Sequence, residues 1–219
     1  MGSRMRPAAA AIAAALMVSA PVYAQIGGPD QSRHQACVEA IADDAEYAYE
    51  EALAWRSQGG GWPARHCVAL ALIALEEVEE GAARLQANAE GATGASDHTR
   101  AIMLGQAGEA WLSAGQPGEA AAAFERGLDF APGDYGLALG VAEARLAGED
   151  WERAEMAAGR AIAIDSGPAA AWRVRGEARL AMGRLDDAEA DMRAGRERAP
   201  DEIDLLLLRG RINEARRES

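Results

Sequence analysis

Two cysteines, each with a histidine beside it, are the side chains in this sequence best suited to chemistry. His34 stands three residues before Cys37, and His66 adjoins Cys67. Three outcomes are open to such a set. Two thiols brought together in an oxidising compartment form a disulfide. Two Cys and two His can instead hold zinc tetrahedrally. Kept apart and buried, the thiols would be inert packing. Adjacent helical residues point about 100° apart, so His66 and Cys67 would not easily reach one ion. A redox-active pair would call for Cys-x-x-Cys spacing, which is absent. We therefore expect a Cys37–Cys67 disulfide and no metal site.

No other catalytic constellation emerges. His34, His66 and His98 stand apart along the chain, and none sits in a His-Glu-x-x-His pattern. There is no Gly-x-Ser-x-Gly elbow, no dinucleotide fingerprint and no phosphate loop; the sequence has no lysine at all. Carboxylate pairs such as Glu76-Glu77 and Glu79-Glu80 would lie on solvated helix faces, where nothing separates the pKa values of an acid and a base. The expectation is a protein that is not an enzyme and carries no cofactor.

The disulfide constrains the elements that carry it. A bond needs Cα atoms within about 7 Å. Were residues 33–57 one unbroken helix, Cys37 would sit about 30 Å from the Gly59-Gly60-Gly61 turn, and Cys67 only about 8 to 9 Å beyond it. That shape excludes the bond. A reversal near Asp43-Asp44, with an acidic N-cap for the next helix, would place the two cysteines on alternate, roughly parallel helices. The bond therefore predicts the break.

A pattern recurs every 34 residues in the second half. Copies start at Ala101, Tyr135 and Ala169, with a partial fourth at Ile203. Gly108, Ala110, Gly115, Ala120, Phe124, Gly127 and Pro132 of the first copy correspond to Trp172, Gly176, Ala178, Gly183, Ala188, Met192, Gly195 and Pro200 of the third, which adds the tryptophan. The second copy contributes Ala142, Ala144, Ala154, Ala158 and Ala161, with Ser166 in place of proline and Arg145 where an aromatic is common. No stretch alternates as a strand does. The spacing predicts first helices over 104–113, 137–146 and 172–182, and second helices over 117–129, 151–164 and 185–198. Helix pairs this short bury their apolar faces only by stacking.

These residues resemble the tetratricopeptide (TPR) pattern. The resemblance covers about half the chain and implies an all-α fold, a right-handed solenoid of stacked helix-turn-helix repeats. Its expected organisation is TPR copies over 99–134, 135–168 and 169–202, degenerate helical hairpins over 33–98, a flexible segment at 25–32 and an amphipathic capping helix over 203–219. About five helix pairs would result. It also implies a concave groove lined by the first helices. Laid on that groove, Glu109, Glu143 and Glu177 share one offset, and Leu112, Leu146 and Leu180 another three residues on, hence the same face. Ile102, Gly136 and Ala170 form a third row, with Arg173 and Arg211 the nearest positive groups. An acidic row beside a leucine row suits a basic or amphipathic peptide or helix. Both rows have a plainer reading: solvated helix faces for the glutamates, inter-repeat core for the leucines. Chaperone-binding members clamp a C-terminal carboxylate with Lys, Arg and Asn; the matching positions here hold Glu, Gly and Leu, which disfavours that mode.

The first residues read as an address. Arg4 and Arg6 precede an apolar run over residues 8–20, then Pro21 and Val22-Tyr23-Ala24, a signal-peptide pattern with cleavage after Ala24. The run is shorter than the roughly 20 residues that span a bilayer. Met5 is an alternative start to Met1. The expectation is an exported protein without stable membrane insertion, periplasmic in a Gram-negative cell. Loss of Arg4 and Arg6 with residues 1–24 moves the formal charge from −13 to −15. That balance disfavours nucleic acid, whose phosphates need clustered Lys and Arg. The function expected is a scaffold or adaptor binding a protein or peptide partner in its groove. The alternative is a self-associating structural repeat protein of the cell envelope with no peptide ligand. The oligomeric state is left open.

Overall fold

The computed structural model describes residues 29–218, and the expected leader lies outside them. Eleven helices account for most of the described chain: α1 (Pro29–Asp43), α2 (Ala45–Ser57), α3 (Gly61–Ala74), α4 (Val78–Gly91), α5 (Asp97–Ser113), α6 (Pro117–Phe130), α7 (Tyr135–Ala147), α8 (Trp151–Ile164), α9 (Ala170–Ala181), α10 (Leu185–Arg198) and α11 (Ile203–Glu218). Each packs on the next, and α1 also meets α3, α5 meets α7, α7 meets α9 and α9 meets α11. That neighbour-only pattern is an α-solenoid of stacked helical hairpins. No helix among the described residues is long and apolar enough to cross a membrane.

Local signals set the helix ends. Asp44 interrupts α1 and α2 in an extended conformation, and its carboxylate accepts from the Tyr47 amide at 2.9 Å. This N-cap satisfies one of the orphan donors of a helix start. Ser96 caps α5 by accepting from Thr99 N, so α5 begins at Asp97, seven residues ahead of the expected 104. Asp134 caps α7 through Leu137 N.

The reversal at Asp44 brings α1 alongside α3. Cys37 and Cys67 are joined in a disulfide with Cα atoms 6.3 Å apart. Neither sulfur is therefore a free thiolate for metal. By restricting the unfolded chain, such a loop contributes about 3 kcal/mol.

Alanine forms much of the core: Ala64, Ala82, Ala107, Ala120, Ala142, Ala158, Ala178 and Ala188 are all fully buried. At some positions a larger side chain fits because glycine makes room. Phe124 of α6 lies between Gly108 of α5 and Gly140 of α7; a Cβ at either glycine would come within 2.6 Å of its ring. The ring cannot retreat from one helix without striking the other.

The last full repeat has a polar core. Asp191 is 2% exposed and accepts two bonds from Arg175, at 3.0 and 2.7 Å, and one from Arg179 at 2.7 Å. Arg179 also binds Glu155 at 2.7 Å, and Arg184 binds Glu155 at 2.6 Å. A buried carboxylate survives only when satisfied in this way.

Two substitutions should move stability in opposite directions. Gly140→Ala should cost about 1–3 kcal/mol by overpacking Phe124. Glu149 adopts a left-handed φ of 59° at the repeat offset where Gly115 and Gly183 stand, so Glu149→Gly should gain about 1 kcal/mol by relieving that strain. Urea midpoints of the two variants and the parent check both signs.

Candidate functional site

The first helices α3, α5, α7, α9 and α11, together with α1, place a continuous line of polar side chains along one side of the stack. At the N-terminal end His34, His66 and Gln106 form a relay. His34 Nε2 lies 2.8 Å from His66 Nδ1, and His66 Nε2 lies 2.7 Å from Gln106 Oε1. With the Gln106 oxygen toward it, His66 carries its proton on Nε2, and Nδ1 accepts the proton that His34 donates. His66 is then neutral. Burial holds the pKa of His66 below its usual value against the raising effect of Gln106. Burial, and then the proximity of His66, lower His34 from 6.5 to about 4. Trp62 leans on His34 with ring centroids 5.9 Å apart. Histidines that stand apart in sequence thus meet in space, across the same helix pair that the disulfide joins.

At the other end the acidic row is neutralised by its own neighbours. Arg173 reaches Glu143 at 3.3 Å, Glu177 at 3.1 Å and Glu202 at 3.7 Å, and Arg211 reaches Glu177 at 3.4 Å. Burial raises the pKa of Glu143; Arg173 opposes that rise, while Glu109 and Glu177 add to it. This coupling sets the three glutamates on one face. Glu109 differs from the other two: it is exposed and has no ion-pair partner among the described residues.

The leucine row lies deeper. Leu112, Leu146 and Leu180 are half-buried, and each packs against a core cluster: Leu112 with Ala120 and Ala144, Leu146 with Ala142 and Val174, Leu180 with Met192 and Leu208. Their main role is to join repeats. On α5 an apolar group left open beside this row is Ile102, 46% exposed. It lines an open cleft of about 260 Å³ with His98, Gln106, Glu109, Asp134 and Leu137, between α5 and α7. The lining includes two carboxylates and neither lysine nor arginine. The contribution of Asp134 and His98 had no signal in the repeat rows, because both sit at helix starts outside the aligned offsets.

No family profile matches the sequence, and no curated protein matches it significantly. Among solved structures the fold is similar to that of YrrB, described as a TPR protein with an unusual peptide-binding site. The two align with a TM-score of 0.64 and 14% identity over 82% of this chain and 86% of that one. MamA from Desulfovibrio magneticus RS-1 aligns over 80% of this chain and 99% of its own, with a TM-score of 0.60 and 16% identity. The first TPR of Spaghetti (RPAP3), bound to the HSP90 peptide SRMEEVD, aligns over 55% of this chain and 95% of its own, with a TM-score of 0.53 and 25% identity.

The histidine relay predicts a pH dependence. In the unfolded chain His34 takes up its proton near 6.5, and in the folded chain only near 4. Between those values the unfolded state binds more protons, so the stabilisation is complete above pH 6.5 and lost as pH falls toward 4. Thermal melts across that window should show a steeper fall for the parent than for the double variant His34→Gln, His66→Gln. Equal slopes would rule out the relay as the source of the dependence.

Proposed function

For a chain with the fold of the tetratricopeptide-repeat proteins, we propose the work of an exported scaffold that holds a peptide or helix of another protein on its first-helix face. The observation that carries this reading is the cleft at Ile102 and Glu109. An exposed aliphatic side chain beside a carboxylate without a counter-ion is a place where a partner gains both burial and charge pairing. The rest of the row, Glu143, Arg173, Glu177 and Arg211, satisfies itself and serves as a rigid border. Two of the similar structures are described by peptide binding: YrrB by its peptide-binding site and Spaghetti by its bound HSP90 peptide. The peptide SRMEEVD is acidic at its end, whereas Glu109 and Asp134 would repel such a tail. The partner we infer is therefore basic or amphipathic, presenting an aliphatic residue near Arg or Lys in helical spacing.

Export is the compartment that fits. The leader pattern over residues 1–24 directs it, and a Cys37–Cys67 disulfide persists in oxidising surroundings. The groove copies would be residues 99–134, 135–168 and 169–202, with residues 33–98 a buttress and residues 203–219 the end of the stack. The role is holding rather than catalysis: the perturbed groups His34 and His66 are occupied with each other and with Gln106.

The test is a pull-down from a periplasmic extract with the processed chain, followed by titration of any recovered segment against parent and Glu109→Arg. The expected result is a protein partner whose affinity falls at least about tenfold in the variant, the equivalent of about 1.4 kcal/mol, and weakens with salt. An affinity unchanged by Glu109→Arg would overturn this assignment of the site.

A further inference from the structure

The helix α11 carries apolar side chains on two opposite faces. Leu205, Leu208 and Ile212 are fully buried against the stack. On the other side Ile203 is 70%, Leu206 43% and Leu207 59% exposed. At about 100° per residue these three, with Gly210, fall within one arc of about 100°. No described element packs over them.

We propose that this stripe pairs with the same stripe of a second copy of the chain, the two α11 helices running antiparallel about a two-fold axis near Leu206 and Leu207. Charge placement specifies the occupant and the direction. Asp201, Glu202 and Asp204 flank the start of the stripe, Arg209 and Arg211 stand at its far end, and Glu214 and Glu218 come later in the helix. Asp204 and Arg211 lie on one flank of the stripe and Arg209 on the other; Glu202 precedes the helix and lies 3.7 Å from Arg173. In an antiparallel two-fold pair like flanks face each other. Asp204 then faces Arg211 of the second copy, a half-exposed arginine that also reaches Glu177 of its own chain at 3.4 Å. Asp204 and Arg209 have no ion-pair partner within their own chain among the described residues. Parallel pairing would instead bring opposite flanks together at equal height and set Arg211 against Arg209 of the second copy. The same two-fold lays Ile203 over Gly210 of the second copy, where a Cβ added to the glycine would meet nothing within 4 Å. That open space admits a close approach of the opposing helix. Two-fold pairing is also the commonest closed arrangement of a single chain. Its functional consequence is a particle offering two Glu109 clefts.

The experiment is sedimentation equilibrium of the processed protein with Leu207→Arg as comparison, joined to a thiol cross-link. The parent should move toward twice the monomer mass as concentration rises through the micromolar range, and Leu207→Arg should stay monomeric with unchanged helicity, since the side chain is exposed. Because the native cysteines are bonded to each other, introduced thiols report alone. A mixture of Ile203→Cys and Gly210→Cys chains should give a cross-linked pair under oxidation that neither gives by itself. A parent monomeric throughout, a dimer untouched by Leu207→Arg, or cross-linking of Ile203→Cys with itself would each overturn the proposal.

Discussion

Phe124 occupies a slot with Gly108 on one side and Gly140 on the other, three consecutive helices meeting around one ring. The chain has only two phenylalanines, and most other helix contacts are made by alanine. Small contact residues let helix axes come close, and the closeness lets side chains of adjacent hairpins reach one another across the stack. The His34–His66–Gln106 relay and the Arg173 ladder both depend on it, since each joins residues of three helices. A core of bulkier residues would hold the helices further apart and leave such polar groups to water.

Repetition made the fold readable from sequence. A period of 34 residues, glycine or alanine at fixed offsets and turn-forming Pro, Gly and Asp between copies locate the helices without knowledge of their packing. The break at Asp44 was legible for a different reason: a covalent link between Cys37 and Cys67 leaves the chain no other path. The candidate site was less legible, because it depends on how deep each helix sits. Leu112, Leu146 and Leu180 share a face with the glutamates, yet the offset cannot say whether that face points at a neighbour or at solvent. Nor does it reveal that Arg173 stands between two glutamates from successive repeats, or that Glu109, one repeat earlier, lacks such an arginine. Asp191 gave no sign at all: an aspartate in a polar helix reads as solvated until Arg175 and Arg179 are seen closing over it.

The two ends of the stack are built on different principles. The N-terminal end is tied by a disulfide and a neutral hydrogen-bonded relay, interactions that salt barely screens. The C-terminal end relies on charge: Arg173, Arg175, Arg179 and Arg184 interlace with Glu143, Asp191, Glu155 and Asp187. Between them lies the Ile102–Glu109 cleft, bordered by Gln106, the last member of the relay, and holding a carboxylate with no ion pair among the described residues.

The disulfide spans 30 residues and passes over α2 altogether. A pull on the start of α1 would therefore travel through sulfur into α3 and leave α2 outside the path of tension. While the bond holds, residues 38–66 stay sheltered from that pull, and reduction alone would turn the closed loop into open line.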